Sequence, residues 1–451
     1  MSDRRRGLIL AVCCMSLLIV GLDNTIVNVA LPSIQREFHA TVADLQWTID
    51  SYIVVLASLL ILSGSTADRL GRRRVFQAGL VLFTGGSFLC GLAPSLGWLV
   101  AARVVQAVGG SMLNPVAMSI ITNTFTVPRE RARAIGVWSG VVGISMALGP
   151  VVGGLLVGTV GWRAIFWINI PIGLAAVVAT ALFVPESRAP RPRRPDLVGQ
   201  VLVIVLLGAV TSAIIEWPTS GWAVRGTLCA LAVAALAALL YYEPRRTDPL
   251  LELRFFRSAP FSGATLIAVA SFAALGGFLF LNTLYLQNVR GMSAVHAGLA
   301  VLPMAGMVLV FGPLSGRLVG RRGPRLPLLL AGAAFAVSGA MMLPVTATTP
   351  LGWLVAAYAV FGFGFAVVNP PVTQTAVSGM PRAQAGVAAA IASTSRQVGQ
   401  SLGVAVAGAL VAVAGPLTAA AMPWPLFIGY GLAVIAIAAL TTPRGLVSTV
   451  E

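Results

Sequence analysis

The sequence predicts an all-α polytopic membrane protein, built as two six-helix bundles with two further helices between them. Three observations lead there: fourteen long apolar segments, a one-sided distribution of arginine, and an internal repeat. A span needs ~20 apolar residues to cross the ~30 Å hydrocarbon core. Such segments lie at 7–31, 44–65, 75–94, 97–120, 131–156, 164–184, 197–216, 225–242, 260–287, 297–318, 326–345, 351–373, 385–413 and 424–442.

The chain has no lysine, so its 30 basic residues are all arginine. With a cytoplasmic N-terminus, 24 fall in the inner gaps and tails, and four (Arg36, Arg163, Arg225, Arg290) fall outside. Arg103 and Arg396 remain inside spans. This bias is the positive-inside pattern, and an even number of spans places both termini in the cytoplasm. The net charge of +16 sits mostly in short inner loops. There it holds topology and meets anionic lipid, which argues against a nucleic-acid partner. A chain 57% hydrophobic and 10% charged is no ordinary soluble domain. Cys13, Cys14, Cys90 and Cys229 lie in apolar runs without metal-ligand spacing, so packing is their expected role. The first span is too long for a signal-peptide core and lacks a small-residue cleavage site, so it is expected to be retained. Abundant Ala, Gly and Arg without Lys points to a GC-rich genome and a bacterial cytoplasmic membrane.

The repeat gives the domain plan. Trp-Leu-Val-Ala-Ala occurs at 98–102 and again at 353–357, and each is followed by Asn-Pro, at Asn114 and Asn369, an offset of 255. Upstream, Leu70-Gly71-Arg72-Arg73 resembles Val319-Gly320-Arg321-Arg322; downstream, Gly149 and Gly154 match Gly403 and Gly408. Three matches in order, at nearly one offset, imply duplicated bundles at 1–184 and 260–451, with residues 185–259 a linker carrying the two extra spans. An even number of helices separates equivalent positions, so the repeat is parallel. Transporters of this build hold substrate between the halves near the midplane.

Along the chain, Asp23 is the first intramembrane charge, eight residues from the outer end of its span and so ~12 Å deep. Arg103 lies six residues from the outer end of its own span, ~9 Å deep. The depths match, so the two can meet. Such charges are expensive and are usually paired or functional. A static pair is one reading; a protonatable carboxylate beside a fixed guanidinium is the other. Asp50 and Glu216 sit near outer span ends, where each either reaches the interface beside aromatic neighbours or meets substrate.

The turn after the second span reads Gly64-Ser-Thr-Ala-Asp68-Arg69-Leu-Gly71-Arg72-Arg73-Arg74. Glycine suits a short reversal, and a lone acid among four arginines should be paired. That is either a topology-setting loop or an ion-pair latch. In the fifth span, Gly143 to Gly154 includes Gly149-Pro150 and Gly153. Small residues four apart let helix backbones approach closely, and proline favours a kink. Plain packing and a leak-sealing hinge both fit. Arg396 lies about mid-depth in the thirteenth span, and no acidic residue occurs at 253–450. Its partners are therefore carbonyls, polar side chains, an anionic ligand or a carboxylate from the first half. His39 and His296 border outer loops and read as incidental.

At these motifs the chain resembles the major facilitator superfamily, and within it the 14-helix drug:proton antiporter family. The residues carrying the resemblance are Leu22-Asp23 through Asn28 to Pro32, the 64–74 turn, Arg103 with Gln106 and Gly109, and the Gly149-Pro150 run. Trp162-Arg163 through Asn169 to Pro171 and Ser395-Arg396-Gln397 add to it. Trp47-Thr-Ile-Asp50 and Ile215-Glu216-Trp-Pro are similar to bacterial exporters of antibiotics or antiseptics, the methylenomycin type included. The resemblance implies proton coupling at Asp23 and Arg103. It makes residues 64–74 a gating loop, with Gly64, Asp68, Arg69, Gly71 and Arg72 as its key positions. It also makes Gly149, Pro150, Gly153 and Gly154 an antiporter motif. The second-half counterpart of the loop, Gly316-Arg317-Leu-Val-Gly320, has no acid, which puts inner-gate control in the first half.

The expectation is proton-driven export of small amphipathic compounds, with Asn28, Asp50, Gln106, Asn114, Glu216, Asn369 and Arg396 as candidate substrate contacts. Uptake of a nutrient or endogenous metabolite on the same fold is the alternative. An ATP-driven pump is excluded, since a P-loop needs a lysine and the chain has none. No Ser/His/Asp set or metal cluster within the spans suggests an enzyme. The expected partners are substrate, protons and lipid. The energy source is the proton motive force, with no cofactor, and the protein is expected to be a monomer.

Overall fold

The computed structural model describes residues 3–189, 195–377, 385–415, 418–419 and 422–442. Of the predicted inner-loop arginines, Arg191, Arg193, Arg194, Arg382 and Arg444 lie outside the described residues. The chain folds into α1 (Asp3–Phe38), α2 (Val42–Leu70), α3 (Arg72–Gly91), α4 (Leu96–Thr124), α5 (Pro128–Thr159), α6 (Ala164–Trp167), α7 (Asn169–Phe183), α8 (Leu197–Ile215), α9 (Trp222–Tyr242), α10 (Ala259–Leu284), α11 (Ala294–Ala300), α12 (Leu302–Arg322), α13 (Arg325–Met342), α14 (Leu351–Val377), α15 (Ala385–Ala414) and α16 (Pro425–Thr441). No strand occurs among the described residues.

Each predicted span falls on helix. α6 with α7 forms one, and α11 with α12 another. Eleven helical segments are long and apolar enough to cross a membrane, and Ile144–Thr159 and Pro425–Thr441 are shorter apolar helices. The segment missing from both groups is α3, whose leading arginines and internal glycines lower its apolarity. A count of fourteen spans therefore rests on these three segments as well as the eleven.

Lipid offers no partner for a free backbone amide, so the helices satisfy their own backbone and bury polar side chains against one another. Helices α1, α4, α5 and α7 pack together with α2 and α3, and α10, α14, α15 and α16 pack together with α12 and α13. α8 and α9 pair with each other, and α8 also lies against α2 and α15. Gln200 of α8 donates to the Ser58 carbonyl at 2.7 Å. Helix ends are capped where loops are tight: Thr41 and Asp44 form a reciprocal capping box at the start of α2.

The halves meet at the face opposite the N-terminus. Gln46 of α2 donates to the carbonyls of Val404 and Ala405 of α15, at 3.1 and 2.6 Å. Gln287 donates to the Val29 carbonyl at 2.9 Å, and Asn288 to Gln35 at 2.9 Å. α5 closes on α11 through glycine on both sides. A Cβ at Gly154 would stand 2.5 Å from the Ala294 carbonyl oxygen, and one at Gly298 would stand 2.2 Å from that of Pro150. This distal face is sealed by close backbone approach and by buried amides. Nearer the N-terminal face, a Cβ at Gly136 or Gly140 of α5, or at Gly312 or Gly316 of α12, would meet nothing within 4 Å.

Candidate functional site

Asp23 and Arg103 do meet. α1 and α4 bring Arg103 Nη1 to 2.5 Å from Asp23 Oδ2, with both side chains buried. The rest of the carboxylate is also held: Asp23 Oδ1 accepts from Gln106 Nε2 at 2.9 Å and from Asn169 Nδ2 at 3.3 Å. Gln106 lies one helical turn beyond Arg103, so one face of α4 presents both, and Arg103 also donates to Gln106 Oε1 at 2.8 Å. Arg103 Nε donates to the Thr48 carbonyl at 3.3 Å, and the guanidinium lies 4.1 Å from the Tyr52 ring centroid. Asn169 reaches Ser87 Oγ at 3.1 Å, and Ser87 donates to the Phe166 carbonyl at 2.8 Å. A buried ion pair survives only when its remaining lone pairs and protons are satisfied, and α2, α4 and α7 supply those partners here.

Sequence reasoning named Asp23, Arg103 and Gln106 but not Ser87, while Thr48, Tyr52 and Asn169 appeared only within motifs. The spacing of Gln106 from Arg103 was readable; the α2, α3 and α7 partners were not, because only the packing brings them in. Tyr52 Oη and Asn169 Oδ1 remain buried without a hydrogen-bond partner.

The 64–74 turn is docked rather than free. Asp68 pairs with Arg72 at 2.9 Å, inside its own turn. The Arg72 amide donates to the Ser187 carbonyl at 2.9 Å, and the Ala189 amide to the Asp68 carbonyl at 3.1 Å. Glu186 accepts from the Arg73 amide at 3.1 Å. Gly71 has φ +117°, a backbone conformation that favours glycine, and a Cβ there would stand 2.6 Å from a Glu186 side-chain oxygen, which would have to move aside. Arg69 is exposed, and Gly64 faces Pro115 of α4 at 3.8 Å from where a Cβ would lie.

The α5 glycines serve two surfaces. Gly149 and Gly153 lie against Thr25 and Ile26 of α1, while Gly154 and Pro150 face α11. The other candidates are dispersed. Asn28 and Pro150 line a small cavity with Thr25, Thr283 and Gln287, and the Asn28 side-chain oxygen has no partner. Asp50 is fully buried with neither oxygen hydrogen-bonded, and Ser401 of α15 is the polar group facing it. Glu216 accepts from Trp47 Nε1 at 3.0 Å, an interfacial anchor. The Asn114 side-chain oxygen is buried without a partner. Arg396 donates to Thr373 Oγ1 at 2.5 Å, one turn from Asn369 on α14. Among the described residues, no group of three or more His, Cys, Asp or Glu is arranged to hold a metal.

The model of the Major Facilitator Superfamily matches residues 13–404. Among similar proteins is the tetracenomycin C resistance and export protein of Streptomyces glaucescens, 41% identical over 402 residues, covering 88% of this chain and 74% of that one. The multidrug resistance protein Stp of Mycobacterium tuberculosis is 38% identical, over 91% of this chain and 76% of its own. The methylenomycin A resistance protein of Streptomyces coelicolor is 38% identical, over 86% and 82%. Among solved structures, a D-xylose-proton symporter superposes with a TM-score of 0.69 at 15% identity, covering 98% of this chain and 99% of that one. At that identity it shows the shared fold alone.

Proposed function

The chain belongs to the major facilitator superfamily, and on that premise we propose that it is a proton-coupled antiporter exporting small amphipathic compounds by alternating access. The relatives named for drug resistance or export, at 38–41% identity over most of the chain, support the substrate class. The arginine bias supports a cell-membrane protein with its N-terminal face and both termini in the cytoplasm. The moving units are 1–184 and 260–451, with 185–259 between them; the protein acts as a monomer, not as an enzyme, and needs no cofactor.

The observation that carries the reading is the Asp23 cluster. Every contact of this buried carboxylate is a donor, and the guanidinium beside it cannot lose its proton, so a change of charge within the pair has to fall on Asp23. When Asp23 takes a proton, the Arg103 pair weakens and that guanidinium must find other acceptors. The Thr48 carbonyl and Gln106 Oε1 already accept from it. Proton uptake is thereby coupled to the packing of α1 against α4. Close contact at the distal face supports a cytoplasm-facing state, in which Asp68 pairs locally with Arg72. In the outward-facing state Asp68 reaches across the inner gate.

Everted membrane vesicles test the reading. An added exported drug should dissipate a preformed ΔpH without ATP, and Asp23→Asn should abolish the response. Undiminished antiport in Asp23→Asn would rule the assignment out.

A further inference from the structure

Arg396 is the second-half arginine that lies within a predicted span, and residues 253–450 contain neither Asp nor Glu to pair with it. It enters from α15 and donates to the Thr373 hydroxyl of α14, while its Nε is buried without a partner. Its guanidinium carbon lies 6.0 Å from the Phe272 ring centroid, and Phe272 packs edge-on against Phe365 at 5.2 Å. Thr373 and Gln374 are exposed. Polar side chains presented at membrane depth face water or ligand, not lipid.

Arg103 shows what this protein does with a buried guanidinium when it is to remain fixed: it supplies a carboxylate, a carbonyl and an amide. Arg396 has one hydroxyl. Its fork-shaped donor set matches a carboxylate, sulfonate or phenolate, and Phe272, half-buried and backed by the buried Phe365, offers an apolar surface for an attached ring system. Asn369, one turn from Thr373 on α14, adds an amide at half-buried depth.

We propose that Arg396, with Thr373 and the Phe272–Phe365 pair, forms a binding subsite for one ionised acid group on an aromatic substrate. The exported compounds then include amphipathic monoanions. The assignment deepens the export reading and names its substrate class. Weak acids collect on the alkaline side of a membrane, so the cytoplasm concentrates such compounds, and an inside-negative potential favours their exit.

The test uses two fluorescent probes sharing an aromatic skeleton: 1-anilinonaphthalene-8-sulfonate, a monoanion, and N-phenyl-1-naphthylamine, its neutral analogue. Binding to the full chain in nanodiscs is measured against empty discs. Arg396→Gln should weaken the anion about tenfold and the neutral probe less than about twofold. Arg396→Lys should recover part of the anion affinity, and Thr373→Val should lose a smaller part. Retained binding of the neutral probe shows that the variant is folded. No saturable anion binding by the wild type, or equal loss of both probes, or no loss of either, would overturn the subsite. Dissipation of ΔpH by the probes in everted vesicles is read separately. Arg396-dependent binding without any proton response leaves the subsite standing and removes the export reading. A proton response to the neutral probe with Arg396-independent anion binding does the reverse.

Discussion

By the repeat, Arg103 and Gln106 of the first half correspond to Tyr358 and Phe361 of the second, 255 residues on; Asp23 of α1 meets the first two and Phe278 of α10 the second two. In the first half these positions make an ionic cluster. In the second, Phe278 stacks on Phe361 at 3.9 Å and meets Tyr358 and Phe427 edge-on at 5.3 and 5.6 Å. The scaffold around them is shared. Gly109 of α4 lies against Gly79 and Phe83 of α3, and Gly364 of α14, also 255 residues on, lies against Ala331 and Phe335 of α13. The close helix approaches are kept and the chemistry at the centre differs. An aromatic cluster needs no partner for a charge and holds no carboxylate to take up a proton. An ionic cluster at this depth stands only while every donor and acceptor is matched. Under the proposed antiport, the difference would put proton handling in one half, with the other its rigid counterpart.

The sharpest way to break that comparison is to disturb the two centres in turn. Asp23→Asn should reduce drug-driven proton release at least about hundredfold, the scale of a lost proton-transfer group. Phe278→Leu should cost about 1–2 kcal/mol of stability by loosening the aromatic stack, yet leave proton release per folded molecule within about twofold. Equal loss of coupling in both variants, measured in everted vesicles, would end the division of labour.

The next contrast is in stability. Arg103→Gln leaves Asp23 buried without its countercharge and should cost about 3–5 kcal/mol. At the matching place, Tyr358 Oη has no hydrogen-bond partner, so Tyr358→Phe should change stability by less than about 0.5 kcal/mol. Denaturation in detergent compares the two. A large loss in Tyr358→Phe would mean that the second centre also depends on a polar contact.

Much of this was legible in sequence. The span pattern, the arginine asymmetry and the matched depths of Asp23 and Arg103 led to the pair the structure contains. What stayed hidden was set by packing between distant elements. Nothing in the spacing places α8 against both α2 and α15, or aims Asn169 and Ser87 into the Asp23 site. Asp68 was read as paired from its arginine-rich turn, but its docking on Ser187 and Ala189 involves a linker whose fold the sequence did not specify. Aromatic side chains at 278, 358, 361 and 427 are invisible as a cluster until the helices converge, because any one of them reads as lipid-facing or core.

Glycines at the helix crossings separate the halves by a smaller margin. A Cβ at Gly149 would press on the Thr25 side chain, and one at Gly403 would press on the Ala273 backbone carbonyl. Thr25 has other rotamers, whereas the α10 backbone has to shift as a unit. Gly403→Ala should therefore cost about 1–3 kcal/mol, and Gly149→Ala less. The reverse order in thermal denaturation would show that α1 is the stiffer partner, and that the first half is the more constrained of the two.

The smallest effect on stability should come from the turn that closes each half. Asp68 and Arg72 form a partly exposed pair four residues apart, worth no more than about 0.5 kcal/mol. The second-half turn has Arg317, Arg321 and Arg322 but no acid to pair with them. If the pair served only topology, Asp68→Asn would leave transport as it is, because the arginines that set orientation remain. If Asp68 instead holds the inner gate in the outward-facing state, the variant should spend more time open to the cytoplasm. Transport should then fall several-fold with stability almost unchanged, and cysteines placed along the inner half of α5 should react faster with a thiol reagent. Arg317→Gln at the corresponding turn should alter neither. Normal transport and unchanged accessibility in Asp68→Asn would reduce the two turns to equivalents, and inner-gate control would then have to be sought outside both.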